Sequence, residues 1–196
     1  MTGAGLRLPA SAAARVEAFD RAVDDAFGGL LREHRMADTV MYGASSLGDH
    51  GVLWMLLAAG QAVRRRHGDW QRPLLRALIG LGVESALVNG PVKWLFRRSR
   101  PIHEGPRPRH LRQPRTSSFP SGHASAAFFG AALLRDDDQL WPLYYLIAVV
   151  VAASRVHVRI HHASDIVAGA AVGALLGELA RAAVPLAPES DRGQGR

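Results

Sequence analysis

The chain contains no cysteine, and among its 24 basic residues only one, Lys93, is a lysine. Without cysteine there can be no disulfide framework, no thiolate metal site and no cysteine nucleophile. The other basic residues are arginines, and the formal net charge is +7. Nucleic-acid binding is one use of such a charge, but the hydrophobic residues are gathered in blocks. That clustering favours a membrane surface or an anionic substrate instead.

Long uninterrupted apolar runs are also missing, because each hydrophobic block is near or below the roughly 20 residues that cross a bilayer. No segment shows the strict alternation of a half-buried strand, and no cleavable signal peptide is predicted. A soluble all-helical protein is therefore a competing interpretation. Five hydrophobic blocks, arginine clusters between them and tryptophans near their edges favour the membrane.

The hydrophobic pattern predicts an all-α, membrane-embedded helical bundle of about five spans. An amphipathic helix over residues 11–35 is too charged to cross a bilayer, so it should lie at the interface or pack on the bundle. Residues 38–63 predict either one span or a half-buried pair of helices, because Asp49 and His50 interrupt the apolar run. The other predicted spans cover residues 73–96, 119–134, 140–153 and 162–184.

Two features inside these helices predict their geometry. Pro91 should bend its helix just before Lys93. Gly169, Gly173 and Gly177 are spaced four residues apart, which predicts a ridge of small residues for close helix packing.

The length of 196 residues indicates one domain. We place it at 11–187, with disordered ends at 1–10 and 188–196. Residues 97–118 are rich in arginine and proline, which predicts a loop inside the domain.

Three short motifs carry the candidate chemistry: KWLFRRSRP at 93–101, PSGH at 120–123 and SRVHVRIHHASD at 154–165. The transition state for transfer of a phosphoryl group spreads negative charge over three oxygens, so cations must surround it. Lys93, Arg100 and Arg155 come from three separated segments and can approach such a group from three sides. The motifs together predict a phosphoryl site.

Backbone and imidazole groups complete this predicted site. Ser121 and Gly122 stand at a helix start, where free N–H groups bind anions, and Ser121 can cap the helix at the same time. If a helix begins near His162, His161 and Asp165 lie one turn apart on one face. Asp165 can then accept the Nδ1 proton and leave Nε2 of His161 bare, as a nucleophile or a metal ligand. We predict no metal, because the surrounding cations would repel one.

The three motifs match the pattern K-x6-RP, PSGH and SR-x5-H-x3-D. Over residues 93–165 the chain therefore resembles the type 2 phosphatidic acid phosphatase superfamily, and the order of its helices resembles the membrane-bound lipid phosphatase branch. The superfamily also contains vanadium haloperoxidases and bacterial acid phosphatases. Those members are usually longer, and the apolar blocks of this chain disfavour a soluble enzyme.

The resemblance implies a role for each motif residue. His161 would attack phosphorus and form a phosphohistidine, Asp165 would fix its tautomer, and His123 would act as general acid and then as general base. The neighbouring His162 is a rival nucleophile, but only His161 has Asp165 four residues later. The implied phosphate-binding residues are Lys93, Arg100, Ser121, Gly122 and Arg155.

The expected function is that of an integral membrane lipid phosphatase that needs no cofactor. Its substrate would be a polyprenyl phosphate, diphosphate or phosphosugar, phosphatidic acid or phosphatidylglycerophosphate. The alternative is a non-catalytic protein that binds or transports anionic lipid, but such a protein would not need the acid–base pair. The expected partners are the lipid phosphate and membrane lipids, without nucleic acid, and self-association is left open.

The expected location is a bacterial cell membrane. The loops on the active-site side carry slightly more arginine than those on the other side, which weakly favours the cytoplasmic face for the site. The resemblance more often implies an outward-facing site, so the sequence leaves the orientation unresolved.

Overall fold

The computed structural model describes residues 9–64, 70–102, 109, 111, 114, 116–136 and 138–185. Most of both ends predicted to be disordered lies outside these residues. The described part is helical and contains no β-strand. Its helices are α1 (Ala10–Leu30), α2 (Arg35–Leu47), α3 (Val52–Arg64), α4 (Gln71–Leu87), the short α5 (Lys93–Leu95), α6 (Gly122–Leu134), α7 (Trp141–His157) and α8 (Ala163–Ala183). The predicted all-α fold is confirmed.

Helix α6 forms the centre of the bundle. It packs against α4, α7 and α8, and it is apolar on every side, as expected of a helix surrounded by others. Its residues Phe129 and Leu133 are buried in one cluster with Trp54 of α3, Leu81 of α4 and Tyr144 of α7. The core of the bundle therefore joins α3, α4 and α7 around α6.

The predicted glycine ridge lies where α8 crosses α6. A Cβ atom at Gly173 would collide with the backbone oxygen of Ser125, and one at Gly169 would collide with that of Ser121. At Gly177 an added Cβ would lie 2.6 Å from the Cβ of Ala132. Such an approach is open only to residues without a side chain, so the ridge holds the two backbones in direct contact.

The segment predicted as one span or two helices is a pair. Helices α2 and α3 are separated by a 3₁₀ turn at Asp49–Gly51. Gly51 has a φ of +70°, which favours glycine. The two helices follow one another down the bundle, since Asp38 of α2 contacts His157 near one end of α7 and Arg64 of α3 contacts Tyr144 near the other.

The bend predicted at Pro91 is also present. After α4 the chain passes through a π-helical turn at Val88–Val92, in which Gly90 has non-helical angles of φ −93° and ψ −108°. Proline cannot donate a backbone hydrogen bond, which accounts for a break here. The bend brings Lys93 into the bundle, where it is buried.

Ion pairs tie the helices together at the end opposite the motifs. Asp136 accepts hydrogen bonds from Arg76 of α4 at 2.7 Å and from Arg181 of α8 at 2.6 Å. Asp138 accepts from Arg64 of α3 and from the Tyr144 hydroxyl, both at 2.6 Å. These pairs link α3, α4, α7 and α8 to the turn that follows α6.

Much of the outer surface is apolar. Among the described helices, α8 is long and apolar enough to cross a membrane, and α3, α6 and α7 are apolar but shorter. Large hydrophobic side chains are exposed on the outer faces of α3, α4, α7 and α8: Leu56, Leu75, Leu78, Ile79, Val83, Leu143, Leu146, Val149, Leu175 and Leu179. Exposed apolar side chains of this number and size suit contact with lipid.

Candidate active site

The motif residues lie at one end of the bundle, where four helix ends meet. Lys93 follows the end of α4, Ser121 and Gly122 begin α6, Arg155 lies in the last turn of α7, and Asp165 lies in the first turn of α8. The backbone N–H of Ser121 donates to the backbone oxygen of Asp165 at 3.0 Å. The second motif is therefore held directly against the third.

The imidazole of His161 lies between an arginine and an aspartate. Arg100 Nη1 approaches His161 Nε2 at 3.2 Å, and Asp165 Oδ2 lies 3.6 Å from His161 Nδ1. A guanidinium has donors only, so Nε2 must present its lone pair to Arg100. The ring proton then sits on Nδ1 and faces Asp165. The contacts thus select the tautomer in which Nε2 can act as a nucleophile.

His161 is buried, in the loop between α7 and α8. Burial, followed by the positive charges of Arg100 and Arg155, lowers its pKa to about 3, against the opposing effect of Asp165. The ring is therefore neutral at physiological pH, so Nε2 is unprotonated and its lone pair accepts from Arg100.

Asp165 is completely buried and held on both oxygens. Its Oδ1 accepts from Arg98 Nη1 at 2.7 Å, and its Oδ2 accepts from the backbone N–H of His162 at 2.9 Å. His162 itself is the N-cap residue of α8. The two adjacent histidines therefore differ, since His162 caps the helix while His161 faces Arg100 and Asp165.

The three predicted phosphate-binding cations lie close together at this end of the bundle. Lys93 interacts electrostatically with both Arg100 and Arg155. Arg155 is buried and its Nη1 donates to the hydroxyl of Ser45 in α2. Arg100 donates to the backbone oxygens of Ile160, Pro114, Thr116 and Ser117. Positive groups held this close together favour the binding of an anion with several charges.

The PSGH motif starts α6 as predicted. The Ser121 side chain accepts from the backbone N–H of Ala124 at 3.3 Å, which is the geometry of an N-cap. A Cβ at Gly122 would lie 2.6 Å from Asn89 Oδ1, so a larger residue would push Asn89 away. The start of α6 therefore packs closely against Asn89. The prediction that Ser121 offers a free backbone N–H is wrong, because that N–H is bonded to the backbone oxygen of Asp165.

His123 has a carboxylate partner that the sequence did not predict. Its Nε2 lies 2.8 Å from Oδ1 of Asp49, in the turn between α2 and α3. His123 also interacts electrostatically with Arg155 and Lys93, which places it beside the same cations as His161. His123 and His161 therefore each lie beside an aspartate of their own.

A cavity of about 920 Å³ opens beside Lys93 and Arg100. Its lining combines cationic, polar and aromatic side chains: Asn89, Lys93, Trp94, Phe96, Arg97, Arg98, Ser99, Arg100, Thr116 and Ser117. The volume exceeds that of a phosphate group several-fold, so the cavity can hold a larger polar group attached to the phosphate.

The structure brings all eight predicted site residues to one region, and it adds contacts that were not predicted. Asp49, Arg98 and Ser45 each bond one of those residues. One signal for Asp49 was present in the sequence, because a charged residue inside an apolar segment faces the protein interior. Arg98 lies inside the first motif but could not be separated from its arginine neighbours.

Comparison with known proteins identifies a family and several related phosphatases. The model of the PAP2 superfamily matches residues 73–187, which is more than half of the chain. A decaprenylphosphoryl-5-phosphoribose phosphatase of Mycobacterium tuberculosis is 34% identical over 139 residues, covering 70% of this chain and 75% of that protein. A lipid A 1-phosphatase of Porphyromonas gingivalis is 33% identical over 133 residues, covering 65% of this chain and 27% of that protein.

The fold is similar to that of a solved transmembrane protein. A PAP2-type phosphatidylglycerolphosphate phosphatase from Bacillus subtilis superimposes with a TM-score of 0.65 at 24% identity, over 93% of this chain and 90% of that chain. The chain belongs to the PAP2 superfamily. It is a phosphoric ester hydrolase of the lipid phosphatase kind that this family contains.

Proposed function

We propose that this protein hydrolyses the terminal phosphate monoester of a polyprenyl-linked phosphosugar, through a phosphohistidine at His161. The single observation that supports this most strongly is the Arg100–His161–Asp165 arrangement. It directs the lone pair of Nε2 toward Arg100, which lies close to the other predicted phosphate-binding cations, Lys93 and Arg155. A protein that only bound anionic lipid would need the cations but not an oriented imidazole.

In the first proposed step, Nε2 of His161 attacks phosphorus and the P–O bond to the alcohol breaks. His123 gives its proton to the departing alkoxide. Lys93, Arg100 and Arg155 stabilise the charge that develops on the three phosphoryl oxygens. A further oxygen contact would come from the backbone N–H of Gly122, since that of Ser121 is bonded to the backbone oxygen of Asp165.

In the second step, water attacks phosphorus and His123 takes a proton from that water. The N–P bond breaks, inorganic phosphate leaves and His161 returns to its neutral form. Asp165 stabilises the positive charge on His161 while the phosphohistidine exists. Every proton in this scheme moves through side chains of the chain, so no metal or other cofactor is required.

The phosphosugar is favoured over the other candidate head groups because of the cavity beside Lys93 and Arg100. Its arginines, Ser99 and Asn89 can bind hydroxyl and phosphate oxygens, and Trp94 and Phe96 offer apolar faces to a sugar ring. The similarity to a phosphatase named for a decaprenylphosphoryl-5-phosphoribose points to the same class of head group.

For the membrane arrangement we propose five crossings, made by α2 with α3, α4, α6, α7 and α8. Helix α1 would lie at the interface on the active-site side, because it packs against α7 and α8 beside their motif-bearing ends. We place the chain in a bacterial cell membrane with the site toward the cytoplasm, on the small arginine excess at that end.

Purified protein in detergent tests the proposed reaction. We expect phosphate release from a polyprenyl phosphosugar monoester with a kcat/KM at least about tenfold above that for polyprenyl monophosphate, polyprenyl diphosphate or phosphatidic acid. EDTA should leave the rate unchanged. Absence of release from every lipid phosphate, or inhibition by EDTA that a divalent cation reverses, would contradict the proposal.

The contact of Asp49 with His123 predicts a second effect. Asp49 should hold the His123 ring and stabilise its protonated form, so Asp49→Ala should lower kcat about tenfold for an alkyl phosphate. The loss should be much smaller with p-nitrophenyl phosphate, because p-nitrophenolate leaves without being protonated. Equal losses on both substrates would show that Asp49 does not act through the general acid.

A further inference from the structure

The N-terminal helix directs one carboxylate into the protein. Within α1, all of whose side chains are described, Asp20 is the one buried residue. It accepts from the backbone N–H of Ser164 at 2.8 Å, from the Ser164 hydroxyl at 2.9 Å and from Arg98 Nη2 at 2.6 Å. Asp20 therefore binds the first turn of α8 and the first motif at once.

Arg98 carries this contact to the active site. Its Nη1 donates to Asp165 Oδ1 at 2.7 Å and to the Ser164 hydroxyl at 2.7 Å, while its Nη2 is on Asp20. One guanidinium therefore bridges two buried carboxylates, and the second of them, Asp165, faces Nδ1 of His161. The charges alternate from Asp20 to Arg98 to Asp165, and then to the imidazolium that His161 becomes as it bonds to phosphorus.

We propose that Asp20 is a positioning residue for the Asp165–His161 pair, which makes helix α1 part of the active site. This rests on the proposed function, in which His161 is the nucleophile. Asp20 neutralises Arg98, so that Asp165 keeps enough negative charge to stabilise a positive His161. Without Asp20, the positive charge of Arg98 would be balanced by Asp165 alone. Asp165 would then stabilise the positive charge of the phosphohistidine less.

The variant Asp20→Asn separates charge from shape. The amide keeps the size of the carboxylate and one oxygen for the Ser164 N–H, but it loses the charge that faces Arg98. We expect kcat to fall about tenfold, with KM changed less than about twofold, because the residues that touch the phosphate stay in place. The measurement is steady-state phosphate release by the full chain in detergent.

Two other acidic residues of α1 provide controls. Glu17 is exposed and pairs only loosely with Arg21, at 3.6 Å, so Glu17→Gln should leave kcat unchanged. Asp24 pairs with Arg32, which also donates to the backbone oxygen of Val156. Asp24→Asn therefore weakens the docking of α1 on α7 without touching Arg98, and its kcat should stay within about twofold of the parent.

A double variant distinguishes coupling through Arg98 from a purely structural role. Arg98→Gln should lower kcat by itself, and adding Asp20→Asn should lower it by no more than about a further twofold, because Asp20 acts only through Arg98. If the two substitutions acted independently, their separate fold-losses in kcat would multiply in the double variant. If Asp20→Asn does not yield a folded protein, Ser164→Ala replaces it, and its kcat should fall about threefold.

Failure of the proposed role of Asp20 and failure of the proposed nucleophile give different results. A kcat of Asp20→Asn within about twofold of the parent overturns this inference if His161→Asn is inactive in the same assay. An effect on KM alone, or independent multiplication with Arg98→Gln, overturns it as well. Activity retained by His161→Asn would instead remove the proposed nucleophile, whatever the behaviour of Asp20→Asn.

Discussion

Replacing His161 with asparagine should lower phosphate release on the order of 10⁴-fold or more, while the protein remains folded. Asparagine fits the space of the ring but has no basic nitrogen to attack phosphorus, and loss of a nucleophile removes the covalent route altogether. The parent protein, quenched during turnover, should carry phosphate on a histidine in an acid-labile, alkali-stable bond. The asparagine variant should carry none.

The neighbouring histidine provides a matched control for this experiment. His162 is the N-cap residue of α8, and asparagine is among the best N-cap residues. His162→Asn should therefore keep its fold and most of its turnover. Retained activity in His161→Asn, or a phosphohistidine that disappears only when His162 is replaced, would refute the assignment of the nucleophile.

The second large effect is expected in the packing of α6 on α8. Gly173→Leu should lower the thermal midpoint by about 2–12 °C and abolish most activity. A Cβ at this position collides with the backbone oxygen of Ser125, and a helix backbone cannot rotate away as a side chain can. Overpacking of this kind costs about 1–3 kcal/mol, and each kcal/mol shifts the midpoint of a chain of this size by about 2–4 °C. Activity should fall because α8 also carries Asp165.

Gly82 in α4 offers the same substitution without the collision. A Cβ there would meet nothing within 4 Å, so Gly82→Leu should have a thermal midpoint and a turnover close to those of the parent. Thermal unfolding in one detergent, followed by intrinsic fluorescence, compares the two. Equal midpoints for the two leucine variants would show that the α6–α8 contact is less close than described.

Several elements of the fold followed from local sequence. The all-α class came from apolar periodicity, the bend before Lys93 came from Pro91, and the α6–α8 contact came from glycines four residues apart. Each of these depends on neighbours within one or two helical turns, where backbone geometry is nearly independent of the rest of the chain. For the same reason, the spacing of His161 and Asp165 predicted that they would face each other.

The structure of the segment around Asp49 could not be predicted from local sequence. The pattern allowed either one span or two helices, because local hydrophobicity does not determine whether a polar pair inside an apolar run breaks the helix. The contact of Asp49 with His123 joins residues 74 positions apart in the chain. No short-range rule relates Asp49 to His123. The turn between α2 and α3, and the contact that Asp49 makes from it, therefore depend on the tertiary structure.

The sequence by itself determined the class of chemistry, because the phosphate-binding and histidine motifs are short segments whose residue types and spacing are chemically demanding. Only the tertiary structure decided which other side chains support them. Asp20 meets Ser164 across 144 positions, and Arg155 meets Ser45 across 110. Such contacts depend on how whole helices are oriented against one another, and that orientation is set by the packing of many side chains together.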